Sequence, residues 1–208
     1  MRPLASVQTP LELSSPMTRI AIVDPQPAVR AGLAMLLRSE PGLVPVGAAT
    51  GAHEGAELVA RQRPDVVLLE SRLLEGDGLA LCRRLRAGAQ PPRVILYTAD
   101  PDPALALLAR VAGADGLVDK SAAPPELFDA IRVVARGGSA LPPLHAHQLD
   151  AVAQLVEPDD LALLAMLVDR TPAADVAAAL RLDSRKLSRR TERLLGRLRA
   201  RPARAAVA

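Results

Sequence analysis

The chain has 208 residues, half of them hydrophobic, so it can bury the core of one large or two small domains and is not intrinsically disordered. Tyr97 and Phe128 are its only aromatic residues and Cys82 its only cysteine. This excludes base-stacking platforms, an internal disulfide and a cysteine zinc cluster, and fits a reducing, cytoplasmic setting. Net charge is only +3, but residues 151–208 hold 11 Lys+Arg against 7 Asp+Glu, and nine basic residues lie between Arg185 and Arg204. Such a basic segment on an otherwise balanced chain points to an anionic partner or to a solvated arginine-rich tail, with double-stranded DNA the leading partner.

Residues 1–17 read as a flexible extension, with Met17 an alternative start. They lack the basic-then-apolar pattern of a signal peptide, and no apolar run in the chain reaches the roughly 20 residues of a membrane span. From there to residue 137 two patterns alternate five times. Short apolar runs rich in β-branched residues occur at Arg19–Asp24, Leu43–Ala48, Asp65–Glu70, Arg93–Thr98 and Gly116–Asp119. Amphipathic stretches of helical length follow at Ala28–Ser39, Ala52–Gln62, Asp77–Ala87, Pro103–Ala112 and Pro125–Arg136. Strand followed by helix predicts βαβ units, and nearly unbroken apolar strands predict burial on both faces. The expected fold is a doubly wound α/β domain over 18–137 with a five-stranded parallel sheet. Chemistry in such sheets gathers beyond the carboxyl ends of the strands, which places Asp24, Glu70, Thr98 and Lys120 on one rim.

Gly137, Gly138, Pro142 and Pro143 mark 138–150 as a linker. Its histidines, His145 and His147, read as polar loop residues rather than metal ligands. Over 151–208 the strand pattern gives way to helices at Pro158–Asp169, from Thr171-Pro172 to about Leu180, and at Ser184–Arg199. Thr171 is an expected N-cap of the second helix and Asp183 of the third. Two short helices and a longer basic one form a helix-turn-helix pattern. On the third, Leu187, Leu194 and Leu198 share one face. The opposite face carries Arg185, Lys186, Arg189, Arg193 and Arg197. Lys186, Arg189, Arg190 and Arg193 are expected groove or phosphate contacts, and Arg185 and Arg197 backbone-phosphate contacts.

Several segments in order resemble a known family. IAIVDPQPAVRAGLAMLL resembles the first strand and helix of response-regulator receivers. PDVVLLESRLLEGDGLALCRRLR resembles their phosphorylation segment, VILYTA the strand bearing their switch threonine, and AGADGLVDKSAAPPEL the strand bearing their lysine. With the basic C-terminal unit, the chain resembles the NarL/FixJ subfamily, in which the receiver precedes a LuxR-type helix-turn-helix. The resemblance implies a DNA-binding transcriptional regulator of a two-component system. It also implies a homodimer formed through the receiver-like domain, with the fourth helix, fifth strand and fifth helix as one pairing face.

The resemblance also exposes departures. Glu70 stands where the family places its nucleophilic aspartate, and Pro25 replaces the second acid of the acidic pair. An extra methylene displaces the carboxylate by roughly one bond length, more than in-line transfer tolerates. Proline offers no side-chain oxygen to Mg²⁺, so Mg²⁺ binding is expected to be weak or absent and no cofactor is expected. The phosphoacceptor pocket Asp24, Glu70, Thr98, Lys120 thus reads as degenerate, and regulation as independent of phosphorylation. Two readings of Glu70 stay open: it imitates part of the phosphorylated state, or the pocket has decayed and the domain is a scaffold or answers to an unidentified small-molecule or protein effector. The family's aromatic switch falls at Leu117 or Val118, neither of them aromatic. In the C-terminal unit Arg170 stands where the family has glycine, Lys186-Leu187-Ser188 replaces its Thr-Val-Lys, and Pro202 interrupts the expected final helix. A receiver-like interaction adaptor that does not touch DNA is the alternative function. No enzyme is expected, since there is no nucleophile in a known setting and no Gly-rich phosphate loop.

Overall fold

The computed structural model describes residues 17–88 and 90–200; the remainder of the N-terminal extension and the tail from 201, with Pro202, lie outside the described residues. Five strands form one parallel sheet in the order β2-β1-β3-β4-β5. They are β1 (Thr18–Val23), β2 (Leu43–Ala49), β3 (Val66–Leu69), β4 (Arg93–Thr98) and β5 (Gly116–Asp119). Between and after them run α1 (Pro27–Ser39), α2 (Ala52–Gln62), α3 (Gly78–Arg86), α4 (Pro103–Ala112) and α5 (Pro124–Ala135).

The unbroken apolar strands are buried on both faces, as a parallel sheet between helices requires. Ile20, Ile22, Val66, Leu68 and Ile95 face one layer, with Leu33 and Leu37 of α1 and Leu127, Ile131 and Val134 of α5. Ala21, Val23, Val67, Leu69, Val94 and Leu96 face the other, with α2, α3 and α4. This second core continues without a break into the C-terminal helices, taking in Leu163, Leu164, Val176, Leu187, Leu194, Leu195 and Leu198.

Those helices are α6 (Ala146–Ala153), α7 (Pro158–Val168), α8 (Ala173–Ala179) and α9 (Ser184–Ala200). Two details differ from the sequence reading and one agrees. The stretch 138–150 is not loop throughout: α6 begins inside it, and Gln148 Oε1 accepts the His145 N–H at 2.9 Å to close the first turn. His145 therefore sits at a helix start. Thr171 does not cap α8; Pro172 occupies the N-cap position, so no side-chain cap is made. Asp183 does cap α9, its Oδ1 accepting the Lys186 N–H at 2.7 Å.

Arg170, between α7 and α8, has φ 59°. That left-handed conformation is one glycine adopts freely, whereas a Cβ at this φ costs on the order of 1 kcal/mol or more. Here the strain is held by an ion pair from Arg170 to Asp115, which also ties the C-terminal unit to the sheet.

Candidate functional site

Four of the five strands, β1, β3, β4 and β5, each deliver one side chain to the carboxyl edge of the sheet. Asp24 follows β1, its N–H bonded to the Ala49 carbonyl at 3.0 Å; Glu70 follows β3, its N–H bonded to the Val23 carbonyl at 2.9 Å. Thr98 ends β4, and the Lys120 N–H donates to its carbonyl at 2.8 Å. The four expected side chains meet. Lys120 Nζ lies 2.6 Å from Asp24 Oδ2 and 2.7 Å from Glu70 Oε2. Both approaches are charge contacts rather than aligned hydrogen bonds, since Lys120 Nζ is buried without a hydrogen-bond partner. Thr98 donates to Glu70 Oε1 at 2.9 Å.

Ser71, which the sequence reading passed over, also donates to Glu70 Oε1 at 2.9 Å, lies 3.0 Å from the Thr98 hydroxyl, and is itself buried. The Arg72 N–H adds a further bond to the same oxygen at 3.0 Å. Asp24 is 2 % exposed and Glu70 7 %, so these charges are largely out of water. Burial pushes the Glu70 pKa up, but the Lys120 ammonium, the Arg72 N–H and the Thr98 and Ser71 hydroxyls outweigh it and hold the carboxyl below its usual range. Burial likewise works against the Lys120 charge, and the two carboxylates reverse it, so the amine titrates above its usual value.

The loop over the site depends on one close approach. Gly78, opening α3, lies so near the strand end that a Cβ there would run into the carbonyl of Glu70 and come within 2.8 Å of that of Ser71. Asp77 caps α3, accepting the Leu79 N–H at 2.9 Å.

The rim does not fit a divalent cation. Every Glu70 oxygen already faces a donor, Asp24 Oδ1 accepts the Gln26 N–H at 2.8 Å, and the lysine ammonium stands between the two acids. The Pro25 side chain supplies no further oxygen. Among the described residues no group of three or more His, Cys, Asp or Glu is placed to hold a metal.

At the family's aromatic position, Leu117 lines a cavity of about 650 Å³ between the start of α4 and residues 140–148, while Val118 turns to the opposite core. The sole tyrosine, Tyr97, points its hydroxyl at the Lys120 carbonyl, 3.4 Å away.

The basic residues of α9 divide into two groups. Arg185, Lys186, Arg189 and Arg193 are exposed. Of these Lys186 pairs with Asp183 at 3.4 Å within its own helix. Arg190 is instead held by Asp160 at 2.6 Å and by the Asp159 carbonyl, and Arg197 by Glu157 at 3.0 Å and Asp160 at 3.3 Å. Both therefore brace α9 against the start of α7. A third flank of α9 turns toward the sheet domain: Glu192 acts electrostatically on Arg83 of α3, and Arg199 pairs with Asp77. Helix α4 packs against α7 and α9, so in this arrangement it is not open as a pairing face.

The sheet order and the strand-end acid–threonine–lysine cluster define a receiver-type domain followed by a helical unit. The chain belongs to the response regulator receiver domain family, whose sequence profile residues 20–132 match. Its relatives include regulators of the NarL/LuxR type. It is 37 % identical over 125 residues to the DNA-binding transcriptional activator DevR/DosR of Mycobacterium tuberculosis, covering 60 % of this chain and 58 % of that one. It is 35 % identical over 162 residues to a protein-glutamate methylesterase/protein-glutamine glutaminase of Anaeromyxobacter dehalogenans, covering 70 % of this chain and 44 % of that protein. The chain thus spans about half the length of the curated relatives it matches. A LuxR-family two-component response regulator from Aurantimonas superposes with TM-score 0.58 at 35 % identity, over 61 % of this chain and 91 % of that one. RcsB from Salmonella enterica, solved bound to a promoter, superposes with TM-score 0.57 over 91 % of this chain and 96 % of its own; at 17 % identity this likeness concerns the fold alone. Among the described residues no helix is long and apolar enough to cross a membrane.

Proposed function

We propose that the chain is a sequence-specific DNA-binding transcription regulator, acting in the cytoplasm and without catalytic activity of its own. In this reading residues 18–137 are the receiver-like domain, 138–150 the connection and 151–208 the LuxR-type helix-turn-helix. The observation that carries the reading is the free side of α9, where Arg185, Lys186, Arg189 and Arg193 stand exposed together. Guanidinium groups along one side of a helix suit guanine edges and backbone phosphates in a major groove. The family relation adds weight, since DevR/DosR is a DNA-binding activator. Arg190 and Arg197 are reassigned to bracing α9, because an arginine already committed to buried Asp160 gives up that pair before it can reach DNA.

Output is independent of aspartyl phosphate in this proposal. Supporting it, the Glu70 carboxylate already occupies the donors that would receive phosphoryl oxygens: Lys120, Thr98 and the Arg72 N–H. Of the two readings of Glu70, these contacts favour the mimic over the decayed pocket. A homodimer through the receiver-like domain belongs to the same proposal. With α4 covered, its pairing surface lies elsewhere on that domain.

The decisive experiment measures binding to genomic fragments as salt is raised: specific sites survive concentrations that abolish non-specific binding. Uniform weak affinity for all DNA would refute the proposal. Intact mass after treatment with a small phosphodonor and Mg²⁺ should be unchanged; a phosphoryl adduct lost in Glu70→Ala would refute phosphorylation independence. The docking of one flank of α9 on α3 and α4 favours a second reading, an adaptor that keeps this helix off DNA. A stable captured partner without enrichment of any chromosomal site would select it.

A further inference from the structure

The seam between the sheet domain and the C-terminal helices contains a cavity of about 520 Å³ rimmed by Arg83, Arg86, Arg93, Arg110 and Arg170, with Leu187 of α9 on its wall. One carboxylate, Asp115, fully buried, pairs with three of them: Arg93 at 3.1 Å, Arg86 at 3.6 Å, and Arg170. Arg83 and Arg110 have no carboxylate within ion-pair distance among the described residues. Glu192 is the one other acid that acts on Arg83. Arg83 is 8 % exposed, and its Nε is buried with no hydrogen-bond partner. Arg110 donates to the Pro142 carbonyl at 2.6 Å, yet its Nε too is buried and unpartnered. Five guanidinium groups around one carboxylate, two of them holding buried, unused donors, leave the cavity short of negative charge. A buried donor without an acceptor costs on the order of 1–3 kcal/mol, more when charged. Guanidinium forks match phosphate oxygens in charge and in planar geometry.

We propose that this seam is a binding site for a small phosphate-bearing anion, which bridges the receiver-like domain to the helix-turn-helix. Arg83, Arg86, Arg93 and Arg110 belong to the first unit and Arg170 to the second. Arg110 and Arg170 repel one another, so an anion between them draws the two units together. The cavity is in the range that encloses small ligands, and its apolar wall accommodates an organic portion beside the phosphate. The site adds a ligand of defined chemical class to the regulator of the functional reading, and its test does not depend on that reading because no DNA is present.

Titrating the full chain calorimetrically with pyrophosphate, inorganic phosphate and ATP, against sulfate at matched ionic strength, tests the site. Saturable one-to-one binding of a phosphate compound is expected, with sulfate weaker. Arg110→Gln and Arg83→Gln each lower the affinity about tenfold or more, while Arg38→Ala at an exposed position of α1, away from the seam, leaves it unchanged. Arg110 lies at the half-buried rim, so its variant stays informative if Arg83→Gln fails to fold. Tighter binding of ATP than of pyrophosphate assigns a nucleotide; equal binding assigns the phosphate group alone. Absence of saturable heat, affinity that follows ionic strength whatever the anion, or equal affinity in Arg110→Gln overturns the proposal.

Discussion

Replacing Glu70 with Gln keeps the shape of the side chain and removes only its charge. The amide oxygen can still accept from Thr98, Ser71 and the Arg72 N–H, but Lys120, whose side chain is 12 % exposed, is left with Asp24 as its sole counter-charge. Losing one of the two carboxylates that face Lys120 in a largely buried site costs about 2–3 kcal/mol. That is below the full cost of breaking a buried pair, because Asp24 remains. For a chain of this length the cost corresponds to a Tm lower by about 4–12 °C. The effect has a pH signature. The native pKa of Glu70 lies below its unfolded value, so its contribution is complete above the unfolded carboxylate range, about 4.3, and fades as pH falls through the folded value. Lys120 runs the other way: raised in the fold, it contributes fully below its unfolded value, about 10.4, and loses that contribution as pH rises through the folded one. Thermal unfolding of both proteins between pH 3 and 8 is the assay. The difference between wild type and Glu70→Gln should be greatest near neutrality and shrink below about pH 4. A variant within 1 °C of wild type at every pH would refute the assignment of a buried, functioning ion cluster.

Gly78→Ala should destabilise by about 1–3 kcal/mol in denaturant unfolding, because the new methyl group displaces the Glu70 and Ser71 backbone; wild-type stability would mean the loop yields freely. Asp115→Asn removes the fully buried counter-charge of the partly exposed Arg86, Arg93 and Arg170, and a loss of about 1–3 kcal/mol is expected by the same measurement. On α9, Arg189→Ala and Arg193→Ala should leave Tm unaltered while each lowers the salt slope of DNA binding by about one. Arg190→Ala, which breaks the pair with buried Asp160, should lower stability first; an unchanged Tm would return Arg190 to the DNA-contact set.

The sheet was legible because its signal is local and repeated. Runs such as DVVLLE have the length and β-branching of strands buried on both faces, and a parallel sheet then brings their ends to one edge whatever the loops do. Asp24, Glu70, Thr98 and Lys120 could therefore be grouped before any coordinates. Ser71 was missed because a hydroxyl beside an acid carries no pattern of its own; only the β3 turn aims it at Glu70. Helix α6 was hidden by Pro142-Pro143, which marks a turn but does not prevent a helix from starting at Ala146. The division of the α9 arginines depended on Glu157, Asp159 and Asp160, whose position against α9 is a tertiary fact. The seam arginines are spread from 83 to 170, and only folding gathers them. The one advance signal was Arg170 where the resemblance places glycine; its φ of 59° is the left-handed conformation that glycine adopts freely.

These observations bear together on where a signal enters. In the proposed reading Thr98 is already fastened to Glu70 at 2.9 Å and Lys120 to both acids, so the rim sits in one state and has no partner to gain. Leu117 offers no ring to reorient in answer. A regulator whose usual input is fixed needs another element with two comparably stable arrangements. The seam has that character: a strained Arg170, an over-committed Asp115 and two arginines with buried, unused donors hold the helical unit against α4 through contacts whose balance one bound anion would alter. The same docking reaches the rim by a second route, since Arg199 of α9 pairs with Asp77, the cap of α3, and Gly78 beside it abuts the Glu70 backbone. If that connection couples the two regions, Arg199→Ala should change the pH dependence of stability set by Glu70, although the two side chains do not touch. Strict additivity of Arg199→Ala and Glu70→Gln, within about 0.5 kcal/mol, would confine any coupling to the arginine seam.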